Sequence, residues 1–230
     1  MSLVTISGPA GTIEARYHTA PFKAGLSTVL LVPPHPEREG DMGHKVIYSL
    51  YRSFASLRFN VLRFNYRGCG KSSGNFTDGE EEISDASACL DWLSTHNPGS
   101  SQCWVAGFSF GAWISMQLLM RRPECHRFIS ISPPVTLYDF SFLAPCPAPG
   151  LIIHGENDEV VSKEAVVRFV HQLSLQKKGH HIDLKVVPDA DHHFKKTAPD
   201  IEKLVSDYIQ TSSLNLSEGI FKTSGDTSNL

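Results

Sequence analysis

No apolar run in this 230-residue chain is long enough to cross a bilayer, and Met1-Ser2-Leu3-Val4-Thr5 lacks the basic-then-apolar order of a secretory signal. No membrane association is expected. An excess of one charge is missing as well. Lysine and arginine total 21 against 24 aspartates and glutamates, and a net charge of −3 gives no field for steering the chain onto a nucleic acid. The five cysteines (Cys69, Cys89, Cys103, Cys125 and Cys146) are odd in number and contain no Cys-x-x-Cys. They predict neither a disulfide framework nor a zinc site and read as reduced thiols of a cytoplasmic protein. Histidines do occur side by side, as His180-His181 and His192-His193. Neighbouring imidazoles rarely chelate one ion, and no cysteine or carboxylate spacing completes a ligand set, so no metal and no cofactor are expected. Internal repeats are absent, and no sequence feature marks an oligomeric state.

What remains is an alternation of short apolar runs with helical patterns. Leu3–Ile6 and Thr12–Tyr17 alternate apolar with polar residues about Gly8-Pro9-Ala10-Gly11, which predicts an antiparallel hairpin. Thr28–Val32 is apolar throughout, as a strand covered on both faces must be, and Val61–Phe64, Cys103–Phe108, Arg127–Ile131 and Leu151–Gly155 read as further short strands rich in apolar residues. Ile182–Val187 alternates. Helical spacing covers Lys45–Leu57, a stretch from the acidic Gly79–Glu82 to Leu93, the run after Phe110, Lys163–Leu175 and Pro199–Ile209. The pattern predicts one α/β domain over residues 1–210, with a mostly parallel central sheet of about eight strands and helices on both faces. Residues 211–230 turn to Ser, Thr, Asn and Gly and are expected to form a mobile tail. Pro133–Pro149 is too short to hold a separate lid, so the site is expected to be open and shallow.

The stretch with most chemical content is Gly107-Phe108-Ser109-Phe110-Gly111, set between an apolar strand and an apolar helix. That context suits a nucleophile elbow, in which a serine on a strained turn needs small residues two positions to either side. A serine hydroxyl is a weak nucleophile at neutral pH and needs a base, which needs an orienting acid. Acids follow the strand Leu151–Gly155: Asp158, with Glu156 as its substitute. Bases follow the strand Ile182–Val187: His192 or His193. Neighbours on an extended loop point in opposite directions, so one of the two should face the serine. Asp189 and Asp191 lie too near in sequence to orient that ring and read as turn formers. The oxyanion donors expected by position are the N–H of Phe110 and the N–H of Glu37, since Pro36 has none. His35 and Phe108 are expected to line the site. Asn65–Ser72 ends in Gly-Lys-Ser like a phosphate-binding loop. Its first glycine is replaced by Asn65, however, and Ser73-Gly74-Asn75 breaks the helix that should follow. Its glycines are read as letting the loop pass close beneath the serine.

Pro34-His35-Pro36, Arg63–Gly70, Gly107–Gly111, His154–Asp158 and Ala190–Phe194 together resemble the α/β-hydrolase superfamily. More narrowly, they resemble its small lidless hydrolases related to dienelactone-hydrolase-like and acyl-peptidase-like enzymes. The resemblance implies that the base is the histidine directly after Ala190-Asp191, which is His192. It also implies a Ser109–Asp158–His192 triad in which His193 lines the site. Where such proteins usually carry paired glycines, this chain has Arg38-Glu39-Gly40-Asp41. The expected function is a serine hydrolase cleaving a small acyl ester or thioester through an acyl-enzyme, with a small-molecule acyl substrate as its partner. A non-catalytic binding or scaffold protein that keeps the fold is the alternative from another class, and a peptidase or amidase is a lesser one.

Overall fold

The computed structural model describes residues 1–21, 27–38 and 40–222, with the helical backbone alone for 213–222. Within these residues the strands β1 (Ser2–Gly8), β2 (Gly11–His18), β3 (Thr28–Val32), β4 (Asn60–Phe64), β5 (Cys103–Phe108), β6 (Cys125–Ile131), β7 (Gly150–Gly155) and β8 (Ile182–Val187) form one eight-stranded sheet. Their order is β1-β2-β4-β3-β5-β6-β7-β8. The expected hairpin is β1 against β2, with Ile6 opposite Ile13, and β2 also runs antiparallel to β4. Every pairing from β4 to β8 is parallel. The central strands β3, β4 and β7 are buried along their whole length, whereas β8, at the edge, is mostly half-buried. This follows largely from their sequences, apolar runs inside, with Asn60, Arg63 and His154 the buried polar exceptions in β4 and β7, and alternation at the edge.

Helices cover both faces. The helices α1 (Lys45–Ser56) and α5 (Ala198–Lys222) lie on one, where Val46, Leu50 and Phe54 meet Ile201 and Val205 over β3, β5 and β7. Trp104 is anchored there by the edges of Phe54 and Phe59 at 5.8 and 5.7 Å. The helices α2 (Glu82–Thr95), α3 (Phe110–Arg121) and α4 (Lys163–Ser174) cover the other face through Leu90, Ile114 and Val166. No helix among the described residues is long and apolar enough to cross a membrane.

Two expectations change. The last helix does not stop near Gln210 but continues to Lys222, so part of the proposed tail is helical backbone. The polar residues there carry leucines at Leu214 and Leu216 and isoleucine at Ile220, with no proline to end the helix. Residues 223–230 lie outside the described residues. The acidic start of α2 is also more than a favourable charge at a helix N-terminus, because Glu82 and Asp85 are fully buried. Asp85 accepts from the backbone N–H and Nε of Arg67 at Oδ2 (3.0 and 2.9 Å) and from Nη2 at Oδ1 (2.7 Å). Glu82 accepts from the N–H groups of Thr77 (2.9 Å) and Gly79 (2.6 Å). The false phosphate-loop motif thus belongs to a buried ionic buttress. The motif's glycines do not pass beneath the serine: a Cβ on Gly68 would meet the backbone of Asn75 and Phe76, and one on Gly70 would meet Asn65 and Glu14, whereas at Gly79, with φ at +100°, it would meet Trp113 at 2.4 Å.

Candidate active site

The C-terminal ends of six parallel strands lie along one edge of the sheet, and the loops beyond β3, β5, β7 and β8 carry the candidate residues. After β5 the chain turns through Ser109 at φ 52°, ψ −121°, an unfavourable conformation for a residue with a side chain. The turn closes tightly: a Cβ on Gly107 would sit 2.2 Å from the carbonyl oxygen of Gly111, and one on Gly111 would sit 2.2 Å from that of Val32. No residue but glycine fits at either place. The result is a hydroxyl lifted above the sheet edge at the start of α3.

The Ser109 hydroxyl donates to His192 Nε2 at 3.0 Å, and His192 Nδ1–H donates to Asp158 Oδ2 at 2.8 Å. The other carboxylate oxygen of Asp158 accepts from the N–H groups of Val160 (2.8 Å) and Val161 (2.9 Å). Burial works against charge on Asp158. The bond from His192 and the two backbone N–H groups outweigh it and hold the carboxyl below its ordinary range. An ionised Asp158 can only accept, which assigns the proton to Nδ1 of His192 and leaves Nε2 free to take one from serine. Two outer contacts hold the arrangement. His154, fully buried, meets the Val161 carbonyl at 2.9 Å through Nε2, and the backbone N–H of His192 donates to Glu159 Oε2 at 3.3 Å. Burial pushes the His154 imidazole below its ordinary pKa, so it is a neutral strut.

These groups open on a cleft of about 350 Å³ bordered by Ser109, His192, Phe110, Phe108, His35 and His193. All of these were expected from sequence to lie at or near the site. The histidine pair departs from the expected extended loop. His192 and His193 occupy a turn, not an extended loop, and their rings stand 5.1 Å apart at 88°. Both therefore border the cleft, while His192 alone reaches the hydroxyl.

The second oxyanion donor is also corrected. The Glu37 N–H donates to Nδ1 of His35 at 3.3 Å, and Glu37 borders a different cavity, beside Gly68 and Cys69. The short 3-10 turn at Pro36–Arg38 carries it away from the serine. His35 borders the cleft itself, and neither its N–H nor that of Phe110 has a protein acceptor among the described residues. Its ring is structural: Nε2 faces Asp78 at 3.4 Å, and the ring packs on Phe76 and Phe110.

Sequence reasoning missed His44, Leu137, Tyr138 and Val160, which also border the cleft. His44 caps α1 by accepting the Val46 N–H at Nδ1 (3.3 Å) and stacks on Phe108 at 4.9 Å. Its position directly before a helical pattern was the available signal, obscured because histidine is not a usual cap residue. Leu137 and Tyr138 lie in the connection judged only for its shortness.

Comparisons with known proteins point to α/β hydrolases. A family model described as "alpha/beta hydrolase fold" matches residues 28–147, and one described as "Prolyl oligopeptidase family" matches residues 136–211. An uncharacterised protein of Rickettsia prowazekii is 45% identical over 218 residues, 94% of this chain and 91% of that protein. Among solved structures, an alpha/beta hydrolase of unknown function from Agrobacterium tumefaciens superposes with a TM-score of 0.89 at 42% identity, covering 93% of this chain and 97% of its own. A serine hydrolase without a lid from Xanthomonas campestris superposes at 0.83 with 30% identity, covering 91% and 94%.

Proposed function

The chain belongs to the α/β-hydrolase fold family, and from that premise we propose that it is a serine hydrolase acting on a small acyl ester or thioester. The observation that carries this reading is the unbroken path from the Ser109 hydroxyl through His192 to an ionised Asp158, opening on a cleft. Ser109 Oγ attacks the acyl carbonyl as its proton passes to Nε2 of His192, and Asp158 stabilises the imidazolium. The backbone N–H groups of Phe110 and His35 receive the negative charge that develops on the carbonyl oxygen. His192 then gives its proton to the departing alcohol or thiol, leaving the acyl group on Ser109. A water molecule, deprotonated by the same nitrogen, releases the acid and restores the serine.

An ester or thioester suits the site better than an amide. The cleft is small and open, and an alkoxide or thiolate departs with less help from a general acid than an amine does. The match of residues 136–211 to a peptidase family covers the loops of Asp158 and His192, which ester and amide hydrolases share. The free cysteines suit a reducing compartment, and the cytoplasm is the proposed location.

The test is labelling with a fluorophosphonate probe together with hydrolysis of p-nitrophenyl acetate. Labelling at Ser109, abolished in Ser109→Ala, is the expected result. An unlabelled wild-type protein would instead favour a binding or scaffold role on the same fold.

A further inference from the structure

The stretch from Pro134 to Ser141 separates two cavities. Toward the serine, Pro134, Leu137 and Tyr138 wall the cleft of about 350 Å³. On its other side Val135 and Phe140 face a groove of about 520 Å³, floored by Phe169 and Leu173 of α4. Tyr138 is the one described residue that borders both. Its ring is fixed, stacked on Trp113 at 4.6 Å and packed against Phe110 at 5.6 Å, and its hydroxyl donates to Asp78 Oδ1 at 3.5 Å. Trp113 in turn donates through Nε1 to the Asp139 carbonyl at 2.9 Å, which pins the partition to α3.

The two cavities differ in what they can hold. Small-molecule sites occupy roughly 300–1,000 Å³, so the cleft alone is at the low end of that range. Direction matters too. A leaving group must face His192, which supplies its proton, so the acyl chain extends toward the opposite wall. Tyr138, packed on Phe110 and Trp113 at the start of α3, forms part of that wall. Beyond it the groove continues over apolar side chains.

We propose that Tyr138 sets the longest acyl chain the enzyme accepts, by closing the catalytic cleft off from an apolar groove that would otherwise extend it. The proposal rests on the reading of Ser109 as the nucleophile. The groove's occupant, once the partition is shortened, is the alkyl end of the acyl group. Each methylene that finds apolar room gains roughly 4-fold in kcat/KM, so opening the groove should change the chain-length profile steeply.

The experiment measures kcat/KM for p-nitrophenyl esters from acetate to dodecanoate, with fluorophosphonate labelling of every variant. Wild type should favour short chains and fall away at longer ones. Tyr138→Ala should move the optimum several carbons longer and raise the decanoate-to-acetate ratio at least 10-fold. Tyr138→Leu keeps an apolar contact on Trp113 should the alanine variant fold poorly, and it should shift the profile less but in the same direction. Tyr138→Phe retains the ring and should keep the wild-type order of substrates. Gln172→Trp, filling the groove in the Tyr138→Ala background, should return the optimum toward short chains. An unchanged order of chain lengths in Tyr138→Ala and Tyr138→Leu, with Ser109 still labelled, overturns the proposal. So does a Tyr138→Phe profile shifted as far as that of Tyr138→Ala. Loss of labelling in wild type would overturn the nucleophile reading itself, and this proposal with it.

Discussion

Two buried carboxylates in this molecule are built almost alike. Asp158 accepts two backbone N–H groups on one oxygen and a ring N–H on the other, and Asp85 accepts one backbone and two guanidinium N–H groups from Arg67. The Asp158 side chain is 0% exposed and that of Asp85 is 1%. The partner makes the difference. Arg67 cannot surrender its proton, and its bonds to Asp85 hold that proton more firmly still. His192 can pass a proton between its partners, and its second nitrogen reaches a hydroxyl at the edge of a cleft. A buried acid paired with a fixed cation braces a loop, and the same acid paired with an exchangeable base, opened to solvent on its far side, can carry chemistry.

Breaking each pair should therefore have different consequences. Ser109→Ala removes the far end of the exchangeable path and should lower p-nitrophenyl acetate turnover by about 10⁴-fold or more, while circular dichroism and the urea midpoint stay near wild type. Asp158→Asn keeps the shape but offers His192 a donor where it needs an acceptor. A loss of about 10²–10⁴-fold in kcat is expected, and near-normal kcat would mean that another acid orients the ring. Arg67→Met should do the reverse, since Asp85 is left buried without its cation. Urea unfolding should report a loss of about 3–5 kcal/mol, with little change in turnover per folded molecule. Adding Asp85→Leu to that variant should restore much of the stability, because the cost lies in the orphaned charge.

The same contrast explains which parts were legible in the sequence. Apolar runs marked β3 and β5 and the apolar stretches of β4 and β7, and strand ends are where chain order brings distant residues together, so Ser109, Asp158 and one of His192 and His193 could be placed on one edge in advance, the choice of His192 resting on the family resemblance. Glu37 could not be placed by counting, because a 3-10 turn redirects the chain within one residue of Pro36. Arg67 and Asp85 were invisible as a pair because a charged residue in a sequence looks exposed until its partner is known. Tyr138 was overlooked for a similar reason: its importance comes from what stands on either side of it, and the sequence records neither cavity.

A third arrangement, a half-buried base with no acid hydrogen-bonded to it, completes the comparison. His44 borders the cleft and accepts the Val46 N–H at Nδ1, so its proton resides on Nε2 in the neutral form. Burial first, then the neighbouring His193 and Lys45 and the nearby His192, push its pKa from 6.5 to about 4, and Asp41 offsets only part of this. The unfolded chain therefore binds a proton between about pH 6.5 and pH 4 that the native protein refuses. Stability is fully present above that window and declines as pH falls through it. The buried His154, shifted in the same direction, adds to the decline. Asn at position 44 can still cap α1 but does not titrate, so His44→Asn should flatten the fall in unfolding free energy between pH 7 and pH 4.5 by about 2 kcal/mol. Urea titrations of both proteins at the two pH values measure it. Parallel falls would mean that protonating His44 costs the native structure nothing, and that its ring is free to turn toward solvent when charged.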